Sequence, residues 1–332
     1  MNIKLDLETI MPASTSSIRV SNHNNWPIVE LFQCEQEFIE RLARQNIQQI
    51  FVTAKLTADD SDEPFNAAVG HILDCLDSLP GRPDAAFDSL YKVIDQNLKV
   101  FTQPGMSRMR ATVNALFSAH SVEWEQITEM LSGNMPQQTA DYAASRILDC
   151  YINSNPPHTE EVKKRAVRNL GSRRYEEFRN KFLVLNPQNA SVLDFPYQNR
   201  RNAGRLMRMM FKQTVPITQR TTDASRGASS LDLSVITNLL THQEKLGALM
   251  EICLATYRHE RFHGEAFSPF RSSKAKLKTY SHAYFMLISA YVLILGMLQL
   301  QGKGGLKIQD VLSVANQSMK QFYSFFGSTL DE

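Results

Sequence analysis

Residues Ser281–Gly302 read SHAYFMLISAYVLILGMLQLQG and carry no formal charge over 22 positions. Lys274, Lys276 and Lys278 stand just before them. Length and flanking charge match a membrane-spanning helix. The stretch also holds His282, Ser289, Gly296, Gln299 and Gln301, and it would be the only span in the chain. A helix that is apolar on every side is equally what the centre of a helical bundle or a dimer interface requires. The reading adopted is a buried helix of a soluble all-α bundle, with no membrane partner.

Working outward, the sequence is mostly helical. On the C-terminal side, a third helix is expected at about 307–326, and on the N-terminal side one at about 231–262, with the central one at 273–301. Gln213–Ser230 is rich in Thr, Ser, Arg and Gly without periodicity, which predicts a long loop or linker. Upstream, helical spacing recurs over Val29–Gln45, after the acidic run Asp59–Glu63, and over 107–133, 138–152, 160–184 and 199–212. Leu79-Pro80-Gly81-Arg82-Pro83, Asn155-Pro156-Pro157 and Asn186-Pro187 break the pattern. Asp84 reads as the N-cap of a helix carrying Phe87, Leu90, Tyr91 and Ile94. Ile47–Thr53 reads as a short strand. The division that follows places an N-terminal region of unassigned role at 1–225 and a second helical region at 226–332.

The 332-residue, 37.7 kDa chain is long enough for one large or two ordinary domains. Its 43% hydrophobic and 21% charged residues exclude a wholly disordered or fibrous protein. MNIKLDLETIMPAS has acidic residues where a secretory signal needs an apolar core, so a cytoplasmic location is expected. Cys34, Cys75, Cys150 and Cys253 form no CxxC pair, which fits reduced thiols. The overall formal charge of +2 is uninformative, but 146–212 holds fourteen basic and six acidic side chains, a local +8. That segment either attracts phosphates or forms a solvated helix surface. Trp26 and Trp124 read as isolated core residues, and Met207, Met209 and Met210 as core packing.

The densest cluster of catalytic residue types is Tyr257-Arg258-His259-Glu260-Arg261-Phe262-His263-Gly264-Glu265. His259-Glu260-Arg261-Phe262-His263 matches HExxH, in which histidines one turn apart ligate zinc and the glutamate activates water. The extended form of that motif fails, because Ala266 and Pro269 stand at its Gly and His positions. Only His282 remains as a third ligand, and Arg261 sets a cation between the ligands. No metal and no other cofactor is therefore expected, with a zinc protease kept as a minor alternative. Gly302-Lys303-Gly304-Gly305 lacks phosphate-loop spacing.

The same residues read as Arg258, a polar His259, three further residues, then His263-Gly264. In this the chain resembles the HEPN family of all-helical domains that act on nucleic acids. The resemblance covers about 231–301 and extends to the Asp84–Asp95 helix, which looks like the opening helix of such domains. It implies a metal-independent endoribonuclease with Arg258 and His263 catalytic and His259 orienting. It also implies two protomers sharing one cleft, in an intracellular toxin or phage-defence effector with an antitoxin or defence-system partner. The chemistry suits the residue types. A guanidinium holds a phosphate bidentately, and an imidazole moves protons near neutral pH. Arg271, Lys274, Lys276 and Lys278 follow as a basic run suited to flanking RNA phosphates, or as a solvated helix start. A homodimer is expected, with Ala283–Leu298 near its interface. The alternative is a non-catalytic HEPN-like module that binds RNA or scaffolds a partner.

Overall fold

A computed structural model describes residues 14–150, 152, 158–217, 231–264 and 268–332. Its organising element is the helix expected from the uncharged run, which spans Leu277–Leu300 and is enclosed from Thr279 to Leu298. Of its most apolar stretch, 89% is buried inside the protein, although by length and composition alone it would cross a membrane. Around it lie the helices in chain order: α1 (Thr15–Asn24), α2 (Gln33–Gln45), α3 (Glu63–Asp77), α4 (Pro83–Asn97), α5 (Arg108–Ala119), α6 (Ser121–Gly133) and α7 (Gln137–Asp149). Next come α8 (His158–Leu170), α9 (Ser172–Phe182), a hairpin of β1 (Val184–Asn186) and β2 (Asn189–Asp194), and α10 (Tyr197–Lys212). The last are α11 (His242–Ala248), α12 (Ala255–Phe262), the central helix, now α13, and α14 (Ile308–Phe326). The fold is all-α.

α13 packs most extensively on α4 and α14 and also touches α2, α5 and α7. Its polar atoms explain why it is a core helix. The Tyr284 hydroxyl donates to the Pro80 carbonyl at 2.7 Å, and Tyr280 to that of Gly81 at 3.2 Å. The Tyr291 hydroxyl accepts from the Ala54 amide at 2.9 Å, and His282 Nδ1 bonds Thr139 Oγ1 at 2.9 Å. Each of these fastens a neighbouring loop or helix, and each would be an orphan in hydrocarbon. At Gly296 an added Cβ would lie 2.3 Å from Trp124 Cζ2, so only glycine lets the indole of α6 seat against α13. Phe38 stacks on Tyr280 at 3.9 Å and Phe270 stacks on it at 4.0 Å, which ties α2 and the segment before α13 together.

The buried apolar core is continuous from Cys34 to Leu330 and so crosses the 225/226 division. Because Ala283–Leu298 is covered by this one chain, no second copy is needed to bury it. That removes the reason for placing this helix at a dimer interface.

Several local expectations need correction. Ile47–Thr53 is not a strand. It is extended chain with Ile50 and Phe51 buried, and Ser318 Oγ accepts the Val52 amide at 3.1 Å in place of a ladder partner. Asp84 is not an N-cap: Arg82 holds that position, Pro83 opens α4, and the Asp84 carboxylate is gripped by Arg82 through two 2.9 Å bonds. The 107–133 pattern is two helices that turn at His120, and 160–184 is two that turn at Gly171 (φ +76°). Residues 231–241 precede the helix rather than belong to it. Trp26 is 77% exposed, against Trp124 at 0%. Met207 and Met210 are buried, but Met209 is exposed. The Asn155-Pro156-Pro157 break and 218–230 of the expected linker lie outside the described residues.

The basic segment is largely neutralised by carboxylates of the same chain. Arg165 pairs with Glu161, Arg168 with Glu251, Arg173 with Glu177, Arg174 with Glu244, Arg179 with Glu176, Arg200 with Asp149 and Arg208 with Asp331.

Candidate active site at the end of α12

A π-helical turn, Leu249–Leu254, joins α11 to α12 without a break. Its extra residue per turn rotates α12 relative to α11 and is held by Glu251. This buried carboxylate accepts from Ser107 Oγ at 2.6 Å, Arg168 Nε at 2.8 Å and Asn169 Nδ2 at 2.7 Å. Turns of this kind recur at functional sites. Here it sits directly before the motif.

α12 then runs to Phe262 and is capped by His263 (φ −92°, ψ 3°). Gly264 follows at φ +70°, the left-handed conformation that glycine adopts without a Cβ penalty. The helix therefore stops where the Arg-His-Gly pattern places its end, and the His263 side chain is exposed at that end.

Three faces of α12 do different work. Tyr257 faces the core, with its ring 4.9 Å from Phe87 and 5.2 Å from His282. Arg261 faces α4, donating to both carboxylate oxygens of Asp88, with Nε at 2.7 Å, and lying 3.3 Å from Asp84. The third face carries the motif. Arg258 and His259 are half-buried there, and the imidazoles of His259 and His263 lie 4.3 Å apart between centroids. The Arg258 guanidinium sits 4.7 Å over the Phe262 ring and 5.7 Å from that of Tyr91.

Arg258 also has a partner that the sequence reading missed. Its Nη2 donates to Asp95 Oδ2 at 3.2 Å. Burial pushes the Asp95 carboxyl above its ordinary range, although Arg258 beside it opposes that shift. The signal was present in the sequence: Asp84, Asp88 and Asp95, spaced four and seven apart, share one face of α4. That face meets the arginines of α12, so the helix singled out at 84–95 is in contact with the motif.

The HExxH alternative does not fit. Glu260 is buried and ion-paired with Arg146, whose Nη2 donates to Oε2 at 3.0 Å, so it is not placed to activate water. His282 lies in the core against Thr139, Tyr142 and Tyr257, and burial lowers its pKa from 6.5 to about 4. Among the described residues no three His, Cys, Asp or Glu side chains are grouped to hold a metal ion.

The basic run does not form one surface. Arg271 lies in a short 3-10 turn, where its carbonyl accepts from Arg19 Nη1 at 2.8 Å. Lys274 and Lys276 are exposed ahead of α13, while Lys278 Nζ donates to the Glu332 carbonyl at 3.1 Å. Glu265, Ala266 and Phe267 lie outside the described residues. A scan against family models, a search of curated proteins and a search of solved structures each find no match to this chain, so functional inference rests on these residues and their geometry.

Proposed function

We propose that the end of α12 is a metal-independent endoribonuclease site of the HEPN kind. The observation that supports it is the grouping of Arg258, His259 and His263 at one solvent-reaching helix end, with the two imidazoles 4.3 Å apart. In this reading Arg258 holds the scissile phosphate and offsets the charge that builds on it. The substrate 2′-oxygen attacks the adjacent phosphorus as its proton passes to an imidazole. The bond from phosphorus to the 5′-oxygen breaks, and that oxygen leaves with a proton. The products are a 2′,3′-cyclic phosphate and a free 5′-hydroxyl, and DNA is spared for want of the 2′-hydroxyl. His263 transfers the proton and His259 orients it. A homodimer would bring two such sets to one cleft and supply a base and an acid together. The resemblance to the family gives the setting, a toxin or phage-defence effector.

The second reading, a non-catalytic module that binds RNA or a partner, is favoured by the Arg258–Asp95 contact, which occupies the phosphate anchor. Cleavage of mixed RNA in EDTA separates the two. Under the nuclease reading Arg258→Ala and His263→Ala abolish cutting, and His259→Ala reduces it less. Wild-type protein that binds RNA without cutting it supports the second reading.

A further inference from the structure

A cleft of about 440 Å³ opens between α1, the segment that follows it and the Arg271 turn. Its size falls within the roughly 300–1,000 Å³ of small-molecule sites. Its lining includes Arg19, His23, Trp26, Val29 and Arg271, and no Asp or Glu. The Trp26 indole is 77% exposed, unusual for the largest apolar side chain and without use in the core. Arg19 is fixed by its bonds to the Arg271 carbonyl at 2.8 Å and to Ser16 Oγ at 3.0 Å. That clamps the cleft walls together. The Arg271 guanidinium meets no hydrogen-bond acceptor and no carboxylate among the described residues.

We infer that this cleft binds one nucleotide of single-stranded RNA, with the base stacked on Trp26 and its phosphate held by Arg271 and Arg19. An exposed indole between two guanidinium groups is the pairing that unstructured nucleic acid uses, a π-face for the base and cations for the backbone. A protein or lipid partner for the apolar part alone would leave the two arginines and His23 without anions to meet. Position supports the assignment as well. Ser268 on the rim is five residues from His263, so at most about 18 Å of chain separates the cleft from the motif. One strand can therefore reach both. The inference rests on the ribonuclease reading only in taking RNA as the ligand; the cleft itself is separate from the motif.

The test uses the full chain and a fluorescein-labelled 2′-O-methyl hexauridylate, which has no free 2′-hydroxyl to attack and stays intact whatever the motif does. The protein has two tryptophans, and Trp124 is wholly enclosed, so quenching of accessible tryptophan emission reports Trp26. The oligonucleotide should quench that emission. Trp26→Ala should weaken binding, read by anisotropy, by about 5- to 150-fold, the range for removing one stacked base. Arg271→Gln should flatten the slope of log affinity against log salt by about 0.7. Both side chains are exposed, so the melting temperature should not change. Equal affinity in wild type and Trp26→Ala overturns the inference. So does quenching by mixed phosphatidylcholine–phosphatidylserine vesicles, or by raising the protein concentration, with none from the oligonucleotide. The nuclease reading fails separately: oligonucleotide binding at Trp26 with no cutting of ordinary RNA keeps the cleft and removes the nuclease.

Discussion

Replacing Glu251 tests the link between the π turn and the motif it precedes. Its carboxylate is 2% exposed and joins three elements: Ser107 at the start of α5, and Arg168 and Asn169 in the last turn of α8. Breaking a buried ion pair from one side costs about 3–5 kcal/mol. Arg168 is 32% exposed and regains hydration when its partner goes, which places Glu251→Ala at the low end, about 3 kcal/mol. For 332 residues the unfolding entropy is about 0.7 kcal/mol/K, so the melting temperature should drop by about 4 °C. Glu251→Gln keeps the shape and one acceptor and should cost about half as much. In an Arg168→Met background, Glu251→Ala should cost distinctly less than alone, because the partner is already gone. Calorimetric melting of the four proteins measures all of this. A melting temperature within 1 °C of wild type, flagged here as about the error of such a comparison, would refute the assignment of Glu251 as the tie.

Other outcomes follow from the same packing. His282 is neutral in the fold, with a pKa of about 4 against 6.5, so between those values the unfolded chain binds the extra proton. Its contribution is fully present above about pH 6.5 and is lost towards pH 4, roughly 3 kcal/mol in all. Thr139, Tyr142, Tyr257 and Arg146 surround it, and none of them supplies a compensating anion. Urea unfolding of His282→Gln should show a shallower loss across that window, and an identical pH profile would contradict the assignment. Asp95→Asn removes a contact between groups 32% and 47% exposed and should change stability by less than about 1 kcal/mol. Under the nuclease reading it frees Arg258 and lowers the KM for RNA; a raised KM would instead make Asp95 part of the site.

The fold was legible where burial alone decides it. The run from Ser281 has no charge to place in water, so a central helix follows from composition, and α13 fills that place. Local breaks were less legible because they turn on single backbone conformations. Gly171 at φ +76° splits one amphipathic pattern into α8 and α9, and His120 splits another. Ile47–Thr53 has the residues of a strand but finds side-chain acceptors instead of a partner strand. The hairpin at 184–194 was hidden within a pattern that looked helical. Trp26 misled because an isolated tryptophan usually belongs to the core, whereas this one sits in a cleft between arginines.

At the candidate site the sequence showed the ends but not the partners. His259 and His263, one turn apart, meet as their spacing requires. The positions of Arg258 and Glu260 depend on Asp95 and Arg146, residues more than a hundred positions away, whose approach no local pattern encodes. The basic run also dispersed, because Arg271 belongs to the turn against α1 and Lys278 to the carboxyl end of the chain.

The most direct test of the central claim is the chemistry of the cut end. RNA incubated with the purified protein in EDTA should yield fragments ending in a 2′,3′-cyclic phosphate, identified by mass spectrometry, and His263→Ala should yield none. Fragments with 3′-hydroxyl ends, cutting that EDTA abolishes, or equal cutting by His263→Ala would contradict it.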